Sequence, residues 1–283
     1  MSVLFGANYV VAKVALREVS PLDLVVIRTS GTAIILFAAL RLQRRPAVPA
    51  RLTLRDLLEL VLYSLLGATI NQLCFLAGLE RSTATNASLM LVSIPLLTLA
   101  LAVLLGREQA SARGAIGIVI GLSGALLLLV PRGGVELASR AAVGNLLLLC
   151  GGSAYALYLV LTRPILARRR PTEVVAWVFL LAAVTVLPFG LTGLRSLMSG
   201  GVSPTGWWSI AYVVIGATAL PYLLNSWALV RVKSSIVAVY ILLQPVIAAS
   251  LGRVFLHEQF GPYTAMAAVL VVTGVVVAAW QRR

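Results

Sequence analysis

The chain has 283 residues, of which 60% are hydrophobic and only 11% charged, whereas soluble domains run at about 45–50% apolar and about 25% charged. So much apolar surface excludes a soluble globular fold. The net charge of +14, which in a soluble protein would suggest nucleic acid as a partner, sits in short connections and reads as an orientation signal.

Backbone polar groups in hydrocarbon must be satisfied internally, which leaves helices or closed barrels, and apolar runs of roughly 17–22 residues fit spanning helices. In chain order the predicted spans are about 2–18, 22–40, 56–78, 84–105, 113–130, 142–162, 173–191, 206–228, 235–256 and 263–280. Each is near the length that crosses roughly 30 Å at 1.5 Å per residue. The expected fold class is therefore all-α, a polytopic membrane protein with ten transmembrane helices and membrane lipid as its surroundings. The first span is the weakest, being short and carrying Asn8 and Lys13. The longest connections, 41–55 and 195–206, are too short for an extramembrane catalytic domain. No cleavable leader is expected, because Lys13 interrupts the first run and further spans follow it. Cys74 and Cys150 lie within apolar runs with no Cys/His cluster, so neither a disulfide, a metal nor a cofactor is expected.

If the N-terminus is cytoplasmic, 15 of the 23 Lys and Arg residues fall on cytoplasmic connections and 6 on the opposite side, with Lys13 and Arg28 inside spans. This bias predicts both termini inside and an even number of spans, in the inner (plasma) membrane.

The chain also repeats itself. LVSIPLLTLALAVLLGREQ (91–109) aligns with ILLQPVIAASLGRVFLHEQ (241–259) at an offset of 150, superposing Pro95 on Pro245 and Glu108 on Glu258, with Gly124 opposite Gly274. A weaker match at 146 pairs Gly6 with Gly152 and Tyr9 with Tyr155. Five spans per half mean that the second half enters from the opposite side: two inverted five-helix repeats, an arrangement associated with alternating access.

The opening FGANYVVAKVALREVSPLDLVVIRTSGTAIIL (5–36) and the junctions LLGREQASARGAIGIVIGLSGALLLL (104–129) and FLHEQFGPYTAMAAVLVVTGVVVAA (255–279) resemble the EamA-type, ten-span group of the drug/metabolite transporter superfamily. The resemblance covers nearly the whole chain and implies a first EamA-type repeat over 1–130 and a second over 142–280. It also implies a pseudosymmetric bundle around a central cavity that moves small organic solutes, often outward. The sequence departs from the family pattern at Phe5, commonly Trp, at Arg107, inserted between Gly106 and Glu108, and at His257 before Glu258.

Ionisable groups within spans are functional candidates. Lys13 has two readings, a cavity charge for an anionic group or a side chain snorkelling to the headgroups. Arg28 is read either as facing the cavity or as satisfied by carbonyls or water, Asp23 being badly spaced to pair with it. Asn71 and Gln72 interrupt the third span, and Tyr222 and Asn225 fall near the equivalent positions of the eighth; such amides suit either solute recognition or interhelical bonds. Gln244, Tyr9, Tyr155 and Tyr158 are further candidates to line a cavity, and Trp227 and Tyr240 share the same aromatic reading. Pro95, Pro221 and Pro245 are candidate hinges, Pro221 freeing a carbonyl one turn earlier. Glu108 and Glu258 are expected to cap the following helix or to pair with Arg107, Arg113 or Arg253. Gly117, Gly121, Gly124 and Gly274 form small-residue faces, usable within one protomer or in a homodimer.

No GxxxxGK[ST], HExxH or GxSxG motif is present, and no base accompanies either Cys. The expectation is a secondary transporter of small metabolites and not an enzyme, and the family resemblance implies an exporter, of amino acids, amines or related compounds. An uptake permease and a non-transporting scaffold are the alternatives.

Overall fold

The computed structural model describes residues 2–42, 52–107, 109, 111–127, 140–198, 202–231, 244–258 and 261–279. Among these there are ten helical stretches and no strand. They are α1 (Ser2–Ala15), α2 (Pro21–Leu42), α3 (Leu54–Arg81), α4 (Ala84–Leu104), α5 (Ala112–Leu127), α6 (Arg140–Arg168), α7 (Pro171–Met198), α8 (Pro204–Ala211 running on through Tyr212–Ala219 and Leu220–Arg231), α9 (Gln244–Leu256) and α10 (Pro262–Ala279).

Among the described residues six helices are long and apolar enough to cross a membrane: α2, α3, α4, α6, α7 over Pro171–Gly190, and α8 over Pro204–Leu224. Shorter apolar helices lie at Val3–Ala15, Ala112–Gly124, Ile247–Leu256 and Pro262–Val277. The chain is thus an all-α, multi-pass membrane protein. Its polarity is distributed accordingly: Ile34, Val119, Val184 and Phe189 stand exposed, while Arg28, Thr29, Thr32, Gln72 and Thr218 are buried. An exterior of that kind is stable against lipid tails and would be a liability in water.

Local chemistry sets the helix starts. Thr53 caps α3 in a reciprocal box with Asp56, Thr83 caps α4 by accepting from Asn86 N–H at 3.0 Å, and Ser203 caps α8 by accepting from Gly206 N–H at 3.1 Å. The helices then pair lengthwise: α5 with α10, α3 with α6, α2 with α7, and α1 with α9, while α4 packs on α6 and on α9, and α8 on α1 and α2.

The α5–α10 seam is where the predicted glycine faces lie. A methyl group on Gly274 would stand 2.3 Å from Gly121 N and 2.6 Å from Gly117 O, and one on Gly124 would stand 2.9 Å from Ala267 O. These backbones approach as closely as only small residues permit, and the contact is made inside one chain.

Among the described residues four helices depart from regular α-geometry, α6 among them with a break at Thr162 just before Pro164. α3 carries a π-helical segment at Leu65–Ile70 and α8 one at Tyr212–Ala219, and α4 breaks at Ser93, with Pro95 in the first turn of its second half. The two π segments overlap at the 150-residue offset found in the sequence. Neither was anticipated, because a wider turn has no composition cue apart from the neighbouring amides and Pro221. Pro188 lies inside α7, a further helical proline that the sequence reading did not single out.

Candidate functional site

The centre of the bundle is organised around Arg28 of α2. Its side chain is buried, with the residue 4% exposed, and it turns toward the π segment of α8. There Nε donates to Thr218 Oγ1 and Nη2 donates to the Ala217 carbonyl at 3.3 Å. Ala217 is four residues before Pro221, which has no N–H to offer that carbonyl, so the proline and the widened turn together leave an acceptor at depth for the guanidinium. Thr218 Oγ1 itself donates to Val213 O at 2.6 Å. Asp23, as its spacing predicts, takes no part and bonds instead with Ser20 Oγ at 2.6 Å.

Aromatic rings enclose the charge. The guanidinium carbon lies 5.9 Å from the Phe75 ring centroid, a cation–π distance worth about 0.5–2 kcal/mol. Phe75 meets Tyr9 edge to face at 5.8 Å, and the Tyr9 hydroxyl donates to Gln244 Oε1 at 3.0 Å. On the other side Tyr222 packs edge-on to Tyr155 at 5.8 Å and to Phe179 at 4.8 Å, and Tyr155 stacks on Tyr158 at 5.6 Å. The Tyr222 hydroxyl donates to Gly67 O at 2.8 Å. Gly67 and Ala217 occupy equivalent positions at the 150 offset, so each π segment presents one carbonyl to a side chain from another helix. A Cβ at Gly67 would lie 2.5 Å from the Tyr158 ring, which makes glycine necessary for that ring's position.

Several polar atoms in the bundle have no hydrogen-bonding partner, Arg28 Nη1, Thr32 Oγ1, Ser64 Oγ and Asn8 Oδ1, and the buried Gln72 side chain meets Tyr222. Unpaired buried groups cost about 1–3 kcal/mol each, and intramembrane charges are rare unless paired or facing a pathway. Among the described residues no carboxylate lies within ion-pair distance of Arg28.

The structure therefore brings together Tyr9, Arg28, Gln72, Tyr155, Tyr158, Tyr222 and Gln244. It adds Phe75, Thr218 and Phe179, which the sequence offered no reason to prefer over other apolar or hydroxyl residues. Asn71 stands apart: its amide donates to Gly151 O at 3.0 Å on α6, the helix-joining role of the two weighed. Lys13 is also elsewhere, donating to Ser82 O and lying 3.6 Å from Glu258. Glu258 corrects its expected role, since among the described residues it pairs with no arginine and turns to the start of another helix. Its carboxylate accepts from Ala84 N–H at 2.6 Å, Thr85 N–H at 3.1 Å and Thr85 Oγ1 at 2.8 Å, capping α4 from the far part of the chain. Trp227 is more than half exposed and so is not enclosed with the central aromatics. Glu108 and Tyr240, and the side chains of Asn225 and Pro245, lie outside the described residues.

Residues 1–130 and again 142–280 match the EamA-like transporter family. The chain belongs to this family. Its sequence is also 25% identical to an uncharacterized transporter of Archaeoglobus fulgidus, over 96% of this chain and 92% of that one. An uncharacterized protein of Pseudomonas aeruginosa is 29% identical over 96% of this chain and 89% of its own. A WAT1-related protein of Arabidopsis thaliana is 25% identical over 92% and 78%. A crystal structure sharing 20% identity superposes with a TM-score of 0.67, covering 98% of this chain and 93% of its own; that likeness concerns the fold. As an EamA-like protein of the drug/metabolite transporter superfamily, the chain is a membrane transporter. Among the described residues no group of His, Cys, Asp and Glu is placed to hold a metal.

Proposed function

We propose that this transporter is a secondary carrier that exports small organic metabolites bearing a carboxylate, amino acids among them, through a site centred on Arg28 and Gln72. The observation that carries this reading is the buried guanidinium with Nη1 unpartnered, in the same cluster as Gln72, whose side chain meets Tyr222. A solute carboxylate offers Arg28 a charge-assisted bond. The amide supplies one donor and one acceptor for an ammonium or hydroxyl, and the tyrosines supply an apolar wall. A simple amine lacks the group that Arg28 requires, so within the amino-acid and amine range the carboxylated members are favoured. Export rather than uptake rests on the family likeness alone.

The carrier has ten spans in two inverted repeats, 1–130 and 142–280, with both termini cytoplasmic. Three features support the repeat. Exchanging α1–α5 for α6–α10 maps the helix pairs onto one another, α1–α9 onto α6–α4 and α3–α6 onto α8–α1, while α2–α7 and α5–α10 map onto themselves. The π segments correspond at the same offset, and the carbonyls of Gly67 and Ala217 play matching parts.

The test is flux of a mixed metabolite panel into and out of proteoliposomes of known orientation, with and without a pH gradient. Saturable movement of carboxylated solutes, lost in Arg28→Gln while the protein stays monodisperse, is the expected result. Movement of amines but not carboxylates removes Arg28 from the site, and no flux across the panel favours a scaffold.

A further inference from the structure

Two charged clusters tie the first matched stretch to the second, and they sit at opposite ends of the bundle. At the C-terminal end of α3, Glu258, just after α9, bonds to the first turn of α4 and faces Lys13 of α1. Lys13 also donates to Ser82 O, and Ser82 Oγ donates to Asn145 Oδ1 of α6 at 2.5 Å. At the N-terminal end of α3, Arg169, between α6 and α7, donates to Asp56 at 2.9 Å and lies 3.4 Å from Glu173 of α7. Arg168 reaches Glu59 at 2.7 Å and Asp56 at 3.5 Å. Asp56 and Ser82 are separated by almost the whole of α3, roughly 40 Å at 1.5 Å per residue.

We propose that these clusters are two gates that part alternately, the Lys13–Glu258 latch opening the site at one end and the Asp56–Arg169 latch opening it at the other. Each crosses the boundary between the two matched stretches, which is the boundary that must part if one moves against the other. Their bonds are charge-assisted, directional and easily replaced by water once an end opens, unlike the close-packed seam of α5 and α10, which stays shut. Glu258 is the stronger element of its latch, because its carboxylate lies against the N–H groups and positive pole of α4 as well as an ammonium. With both latches made, the Arg28 cluster between them is closed from either end. The gates rest on the alternating-access reading of the previous section, but their test does not require the solute.

The experiment uses the full-length chain with Cys74 and Cys150 replaced by Ala and a single reporter, Tyr155→Cys. A membrane-impermeant maleimide is applied from one side at a time, in vesicles of each orientation. Glu258→Gln should raise the labelling rate from the Lys13 side on the order of tenfold, the population change that follows loss of one charge-assisted bond, and leave the other side unchanged. Arg169→Gln, which spares the Thr53–Asp56 cap, should do the converse. Thr85→Val, removing one bond of the Glu258 latch, should give a smaller rise on the Lys13 side and serves if Glu258→Gln does not fold. A merely structural role loosens the whole bundle, so equal rises from both sides overturn the proposal, as does unchanged labelling. Sided labelling of the reporter protein, together with no flux of any panel solute by the chain that keeps Tyr155, would overturn the carboxylate assignment and leave the gates standing.

Discussion

Arg28 concentrates the energetic tension of this protein in one side chain. Removing a guanidinium from water costs several kcal/mol even after relaxation, and its protein contacts are one hydroxyl, one carbonyl and one ring face. Thr218 holds it in place, so Thr218→Val should destabilise the protein by about 1–3 kcal/mol through the unsatisfied Nε, measured by denaturation in detergent micelles. Arg28→Lys keeps the charge but loses the planar fork. It should therefore raise KM for a carboxylated solute by roughly tenfold or more while leaving the fold intact, the equivalent of about 1.4 kcal/mol or more in binding. Arg28 was legible in the sequence as an ionisable residue inside a span. Its partners were not: Thr218 lies 190 residues away, and nothing local distinguishes it from Thr29, whose hydroxyl bonds back to its own helix.

At the scale of helices, two kinds of glycine can be told apart by what surrounds them. Gly274 has backbone atoms of α5 within 2.6 Å of an added methyl, so Gly274→Ala must push two helices apart and should cost about 1–3 kcal/mol. At Gly216 the nearest atoms belong to the Tyr212 ring, at 3.1 Å; the ring can yield, and Gly216→Ala should change the thermal midpoint much less. Comparing the two midpoints in one detergent checks both. The start of α8 offers a pH test. Glu18 accepts from Ser203 N–H at 2.7 Å and from Ser203 Oγ at 2.6 Å, and these bonds hold its carboxyl below the ordinary carboxylate value. A lowered folded-state pKa gives a contribution present above the unfolded value and lost as pH falls through the folded one. Amide exchange around Trp207 and Trp208 should thus stay protected from neutral pH down to about 5 and rise only below about 4. The helices themselves were readable from apolar run length, with ends agreeing to within a few residues in most cases. The π segments were not, because they answer to contacts between helices and not to composition, whereas the break at Ser93 stands two residues before Pro95, which the sequence marked as a candidate hinge.

For the molecule as a whole, alternation of the connections carries a consequence for both chain ends. Tags placed before α1 and after α10 should be reached by protease or impermeant label from the same, cytoplasmic face, and a tag in the 195–206 connection only from the opposite face. Tags on opposite faces would mean that a span has been miscounted. Run lengths, basic residues and the repeat with its offset of 150 are properties of the chain in order, and from them the sequence by itself determined a multi-pass helical membrane protein, while its family resemblance implied transport and the polar residues within spans named most of the central cluster. Which of those residues meet was decided only in three dimensions. Lys13 and Asn71 had the same standing as Arg28 and Gln72 on the grounds of polarity, yet Lys13 faces Glu258 at one end of the bundle and Asn71 joins α3 to α6. The reason is physical: hydrocarbon tells a chain to bury polar groups but not against what, and partners such as Glu258 and Ala84, 174 residues apart, are chosen by how helices pack.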